Sequence, residues 1–357
     1  GLLPDMVDSY DIRSKFSSLR MIWSTVGAIL AGLVPTLMIK DTLNTSMYLK
    51  VAIIFGILFG FAAVVTFIGT WEKVKPPVKT KLRDSFSEAS SVLRSRSFKI
   101  FIGIYLSGQC AMDFVSGMAI YYVDDVLGGY DKGYLTMLMG VLLSSQLVGM
   151  IIFTPIMTRT SKRTTILIGA PIRLASTLGL LAFSYAGAPI VPVLLLSAGV
   201  GIGNAATLTS IFAILSDMAD IDELITSTRR PGIVSGMATF ARKISAGLSV
   251  WFIGLLLSLV GYDTKLAHSG VSQALTTQRG IAMIFIVIPA ILVVLLLIFG
   301  YIFPITNKEF DIVKKEIGRR RGTDGSIASD DEKRILERVT GFKYEDLWNV
   351  SNEHKVK

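Results

Sequence analysis

The sequence predicts an all-α protein that crosses a membrane eight times, and three observations carry that prediction. Hydrophobic residues make up 51% of the 357 and charged residues only 18%, a balance that would leave a water-soluble protein with a surface it cannot cover. The charges are also segregated. Eight stretches, each long enough to cross about 30 Å of hydrocarbon, hold at most two charges apiece. None shows the ~10-residue alternation of a barrel strand. Backbone groups in lipid must bond within their own segment, so each stretch is read as a helix.

In order, the expected spans are 21–39, 49–70, 100–123, 134–157, 165–188, 189–215, 233–260 and 281–303. Residues 1–20 form a segment before the first helix, and 71–98 a long basic loop. Residues 304–357 form a polar tail, where Thr306 with Glu309 and Ser329 with Glu332 read as capping boxes that open two helices. Gly341 ends the second of these, residues 322–326 are a turn-rich linker, and Ile335, Leu336 and Val339 form an apolar stripe expected to dock on the basic loops. Within the sixth span, Gly199, Gly201 and Gly203 resemble a phosphate loop but follow no strand, so they are read as a site of close helix packing.

Basic residues set the orientation. Of 36 Lys and Arg, 28 fall in the connections and tail on one side of the alternation, and five on the other. Positive loops stay inside, so both ends of the chain are expected on the cytoplasmic side of the cell membrane. The net charge of +9 then reflects topology and contact with anionic lipid, and nucleic-acid binding is not expected. The single cysteine, Cys110, lies in a span, while His268 and His354 fall in a loop and the tail. No metal cluster, hydrolytic triad or nucleotide site can be assembled, so neither an enzyme nor a cofactor is expected.

A repeat organises the chain. Leu3-Pro4-Asp5-Met6-Val7-Asp8 recurs as Leu215-Ser216-Asp217-Met218-Ala219-Asp220, and Ala31-Gly32-Leu33 in the helix after the first copy matches Ala246-Gly247-Leu248 after the second. Six helices lie between the copies. A six-helix unit repeated in parallel orientation is the plan of the major facilitator superfamily. On that plan eight of twelve helices are present and four are expected before Asp5. Residues 21–70 become the last two helices of an N-terminal half, and 99–303 the six-helix C-terminal half.

At these residues the chain resembles the glycoside–pentoside–hexuronide:cation symporter family. The resemblance runs from about Leu3 to Arg321 and is carried by Asp5, Asp8, Asp11, Arg13 and Arg20, by Ser116-Gly117-Met118-Ala119-Ile120-Tyr121-Tyr122, by Asp217, Asp220, Glu223, Arg229 and Arg230, and by Arg242-Lys243. It implies symport of a sugar, glycoside or uronide with Na⁺ or H⁺ by alternating access, in a protein that works as a monomer. The coupling-cation carboxylates would lie mainly on helices upstream of Gly1. A carrier of a non-sugar amphiphile such as a lipid, and a non-transporting sensor or assembly subunit, stand as alternatives.

Individual charges carry more specific expectations. Lys243 lies ten residues past Ile233, about 15 Å along the axis and too deep to snorkel easily. It is assigned to cation coupling, against the plainer reading of a structural ion pair. Arg242 points about 100° away and is expected to snorkel toward the cytoplasmic face. Arg20 stands at a helix entry, where an ordinary positive-inside residue would also stand; the resemblance implies contact with sugar hydroxyls. Gln109 and Asp113, one turn apart on one face, are candidate substrate contacts. The family usually has an amide where Asp113 stands, so its carboxylate signals a different sugar, a proton-titrating group or a partner for a base. Arg173, about 12 Å into its helix, is read as an intramembrane pairing group. Asp217, Asp220 and Glu223 with Arg229 and Arg230, and their echo Asp5, Asp8, Asp11 and Arg13, are expected to close an inner gate by salt bridges, although a solvated loop has the same composition.

Lys243→Ala is expected to abolish gradient-driven uptake while leaving the protein in the membrane. Uptake within about twofold of the parent would show that the buried ammonium is idle.

Overall fold

The computed structural model describes residues 45–69, 90–129, 133–268 and 271–348, together with positions 23, 24, 26, 27, 30, 31, 34, 35, 38 and 39. Among the described residues there is no strand, and seven helices are long and apolar enough to cross a membrane. They are α1 (Thr45–Gly69), α2 (Arg96–Tyr121), α3 (Tyr134–Arg159), α4 (Lys162–Gly179), α5 (Ile190–Thr226), α6 (Pro231–Leu259) and α7 (Leu275–Ile302). Two tail helices follow, α8 (Asn307–Arg320) and α9 (Asp330–Thr340). The described positions from 23 to 38 are helical as well, in the first expected span.

Local chemistry sets the ends. The Ser95 hydroxyl accepts the Phe98 N–H at 3.4 Å to open α2, and the Ser161 hydroxyl accepts the Thr164 N–H at 3.0 Å to open α4. Past Tyr121 the chain widens into a π turn, Tyr122–Val126. The largest departure from the expected spans is in α5. Its span was set to end at 215, but the helix has 37 residues and continues through the acidic stretch to Thr226. At 1.5 Å per residue that is about 55 Å, well beyond the hydrocarbon thickness. No glycine or proline interrupts 216–226, and each acid there finds a base, so nothing stops the helix before Ser227, whose φ of 59° turns the chain left-handed ahead of Pro231.

α5 is the axis of the bundle, packed against α3 and α4, while α7 packs on α2 and α4, and α6 rests on α2. The glycine triplet makes the closest approaches. A Cβ on Gly203 would lie 2.6 Å from both the Gly169 carbonyl oxygen and Arg173 Cβ on α4. On Gly199 it would meet Ser176 of α4, and on Gly201 Ser145 and the Leu142 carbonyl of α3. Lipid tails are as apolar as leucine, so helices here associate through packing rather than water exclusion, and small residues let backbones meet. α1 is different: of its 25 residues only Val51 is buried.

Two apolar clusters fill the six-helix unit. One, at the tail end, joins Phe98, Phe101, Ile104, Ile211, Ile214 and Val293. The other, at the far end, joins Phe114, Leu138, Leu142, Val193 and Val200, with Tyr122 stacked on Phe285 at 4.2 Å between centroids.

The tail is folded onto this unit. Both capping boxes form, at Thr306 with Glu309 and at Ser329 with Glu332, and Gly341 ends α9 at a φ of 83°. Leu336 and Val339 are fully buried, in the same cluster as Phe98 and Leu224. The stripe docks on the ends of the spanning helices and on Val92 at the end of the basic loop, most of which lies outside the described residues. Ser97 Oγ donates to the Val339 carbonyl at 2.5 Å, and the Trp348 N–H donates to the Leu224 carbonyl at 3.0 Å.

Gly203→Ala is expected to cost about 1–3 kcal/mol through forced separation of α4 and α5, read as a lowered melting temperature in detergent. Gly254→Ala, where nothing lies within 4 Å, is the control and should hold or gain stability. Equal melting temperatures for the two variants would refute the close approach.

Candidate functional site

Charged side chains gather at two depths. The deeper group joins α2 to α6. Arg242 sits eleven residues past Pro231, about 16 Å along α6. Its Nη2 donates to Asp113 Oδ1 on α2 at 2.7 Å. Beside this pair the two helices interlock, with Cys110 Sγ 2.5 Å from Ser245 Oγ and the Phe114 ring edge-on to Phe252 at 6.1 Å. The contact is made by a single bond, and Asp113 Oδ2 and Arg242 Nη1 are buried with no hydrogen-bond partner among the described residues. Yet 22% of the Arg242 side chain and 24% of Asp113 remain exposed, so the pair lies at the flank of the bundle.

This corrects the expectation for Arg242. A carboxylate at matching depth holds the guanidinium, so it does not extend to the helix end. Asp113 is here the partner of a basic residue, one of the roles the sequence left open for it. Gln109 is half-buried one turn before it, and Lys243 is exposed on α6, with no ion pair to any described residue.

Arg173 is held inside the bundle. It is fully buried, and its partners are neutral: Nη1 donates to the Gly108 carbonyl at 3.1 Å and to Asn204 Oδ1 at 2.9 Å. Asn204 Nδ2 in turn donates to Gln146 Oε1 at 2.7 Å. This polar layer ties α2, α3, α4 and α5 together between the two apolar clusters. Its amide and carbonyl dipoles solvate Nη1, while Nε and Nη2 are buried with no hydrogen-bond partner among the described residues. Asn204 and Gln146 were not singled out in the sequence, and the only signal for them was a carboxamide inside an apolar span.

The second group sits at the tail end of α5. Asp217 pairs with Lys162, Asp220 with Arg229 at 3.0 Å, and Asp222 with Arg230 through two bonds of 2.8 and 3.0 Å. Arg230 also donates to Ser91 Oγ at 3.3 Å, just before α2. Glu223 accepts from Arg321 Nε of the tail at 2.8 Å. The structure thus brings together Asp217, Asp220, Glu223, Arg229 and Arg230 of the expected gate. Asp5, Asp8, Asp11, Arg13 and Arg20 lie outside the described residues. Lys162 and Arg321 went unassigned in the sequence because each stands in a basic run that positive-inside topology already explains.

Comparison with known proteins follows the same frame. Residues 2–307 match the model of a family described as MFS/sugar transport protein. The glucuronide carrier protein homolog of Escherichia coli (strain K12) is 28% identical over 221 residues, covering 60% of this chain and 46% of the relative. The putative sulfoquinovose importer of Salmonella typhimurium is 23% identical over 343 residues, 95% of this chain and 70% of the relative. The isoprimeverose transporter of Lactiplantibacillus pentosus is 24% identical over 289 residues, 77% and 57% respectively. The chain therefore spans between about half and seven tenths of these relatives' lengths.

The tail contacts make a pH prediction. The hydrogen bonds from Arg319, then Lys315, draw the Glu332 carboxyl from its ordinary 4.5 down to about 2. A depressed carboxyl contributes stability that is whole above its unfolded value and is lost as pH falls through its folded value. Amide-exchange protection across α9, corrected for intrinsic rates, is thus expected to hold from pH 7 to about 4.5 and to fall toward 2. Glu332→Gln should loosen α9 already at pH 7. Protection lost near pH 6 would show that other groups hold the tail.

Proposed function

The chain belongs to the MFS/sugar transport protein family, and from that premise we propose that it forms the larger part of a secondary active symporter, carrying a sugar, glycoside or uronide with Na⁺ or H⁺. The observation that carries this reading is the Asp113–Arg242 pair with Lys243 beside it, at mid-helix depth on the flank of a six-helix unit. Charges at that depth cost about 3 kcal/mol or more each, and a scaffold has no evident need for them. Relatives named for glucuronide, sulfoquinovose and isoprimeverose support a sugar-like cargo.

Alternating access suits the architecture. The polar layer around Arg173 and the folded tail make the six-helix unit stiff, so movement belongs at its boundary. Arg20, Gln109 and Asp113 contact the cargo, Lys243 responds to the coupling cation, and the paired acids of α5 with Arg229 and Arg230 close the inner end, with Asp5, Asp8, Asp11 and Arg13 as their counterparts. The tail and both ends of the chain face the cytoplasm.

Counterflow of labelled sugars in vesicles containing the whole protein tests the reading. Exchange is expected without a gradient, and net accumulation only with an inward Na⁺ or H⁺ gradient. Exchange of a lipid-like amphiphile alone, or of nothing, would overturn it.

A further inference from the structure

Cations without carboxylates collect where four helices end on the tail's side of the bundle. There α3 stops at Arg159 and α4 starts at Lys162, while α7 stops at Ile302 and α8 starts at Asn307. Two contacts hold these ends together. Asn307 Nδ2 donates to the Thr160 carbonyl at 2.9 Å, and a Cβ on Gly300 would lie 3.1 Å from Ile166, so α7 closes tightly on α4. Arg159 and Arg163 on one side of this join thereby come to the same edge as Lys308 on the other. Lys162 is neutralised by Asp217, but Arg159, Arg163 and Lys308 pair with no carboxylate among the described residues. Nor does the first turn of α4 hold an acid, although the free N–H groups of a helix start add partial positive charge of their own.

An aromatic ring and an apolar strip continue from this edge. The Arg163 guanidinium sits over the Tyr301 ring, 5.5 Å from its centroid. That contact engages the ring face and occupies no N–H, so the donors of the fork stay available. Along the same face of α7, Ile298, Val294 and Ile291 follow Tyr301, and all four are exposed. They make a strip about 15 Å long at 1.5 Å per residue. A tyrosine next to the last residue of a spanning helix is placed for the boundary, with its body in the apolar zone and its hydroxyl among headgroups.

We propose that Arg159, Arg163 and Lys308 hold the phosphate of an anionic glycerophospholipid in the leaflet on the tail's side, with an acyl chain along the strip from Tyr301 to Ile291. Charge complementarity calls for an anion, and the strip that continues from the cations makes that anion a lipid, since a soluble phosphoester has nothing to lay on it. The bound lipid ties the α3–α4 turn to the α7–α8 join. This goes beyond the transport reading and does not rest on it, because the cargo plays no part in the contact.

The experiment uses the whole protein purified in a neutral detergent. Dioleoylphosphatidylglycerol, dioleoylphosphatidylcholine and sn-glycerol 3-phosphate are titrated separately, and a Kd is read from the saturable rise in melting temperature. The parent should bind the anionic lipid at least about fivefold more tightly than the zwitterionic one, and glycerol phosphate should give no rise. Arg159→Gln, Arg163→Gln and Lys308→Gln should each weaken the anionic lipid about fivefold and leave the zwitterionic lipid unchanged. Lys343→Gln removes an equal charge from an exposed site in the tail and should change neither. Raising NaCl from about 0.1 to 0.5 M should narrow the parent's preference, as screening requires. Equal affinity of the parent for both lipids would overturn the inference. So would a loss in Lys343→Gln as large as in Arg163→Gln, which would make the attraction diffuse. A rise with glycerol phosphate matching that of the anionic lipid would assign the cations to a soluble phosphoester instead. Where a variant is too scarce to melt, native mass spectrometry of the parent decides: retention of the two lipids in equal number would overturn the site.

Discussion

A polar group inside hydrocarbon has no water to turn to, and the internal arrangement of this protein follows from that constraint. Arg173 meets it in part: Nη1 donates to a carbonyl of α2 and a carboxamide of α5, which passes a hydrogen bond on to α3, while Nε and Nη2 are buried with no hydrogen-bond partner among the described residues. Four helices are thereby held in one register by three side chains. Above and below the layer the contacts are apolar and tolerant of small slips, so the layer is what makes the register unique. Arg242 meets the same constraint differently, with an ion pair that satisfies only part of each partner.

Water returns at the tail end, and the chemistry changes with it. Leu336 and Val339 are buried by the ordinary hydrophobic effect, each worth about 1.5–3 kcal/mol on full burial. Glu316 is fully buried among Arg319, Arg320 and the Tyr344 hydroxyl. The acids of α5 that project from the membrane are each matched to a base from a different element: Lys162, Arg229, Arg230 and Arg321. Such a collar binds the ends of the helices without the close glycine contacts used deeper in the bundle.

Much of this was legible in the residues. The helical type of the spans, and the place of seven of the eight expected, followed from hydropathy and length, since a backbone in lipid has few options. The two capping boxes were readable because a cap is a local matter of three residues. The glycine triplet was readable as packing because no strand precedes it. What failed was long-range. The partner of Arg242 is 129 residues away on another helix, and periodicity cannot say which face meets which. The partners of Arg173 went unnamed because charge-counting overlooks carboxamides, which solvate a guanidinium without carrying charge. α5 was ended too early because acids were read as solvent-facing, and the bases that neutralise them come from Lys162 and from the tail.

The unbroken length of α5 turns it into a lever. From Asn204 in the polar layer to Thr226 is 22 residues, a rigid arm of about 33 Å. No proline interrupts it past its first turn, so it transmits rotation rather than absorbing it. A tilt of about 10° at the layer displaces the far end by roughly 6 Å over that arm, more than the length of any salt bridge. Arg321 and Trp348 ride on that end, through Glu223 and Leu224, so the tail moves with it as a handle on the bundle. The polar layer and the folded tail are thus geared together through one helix.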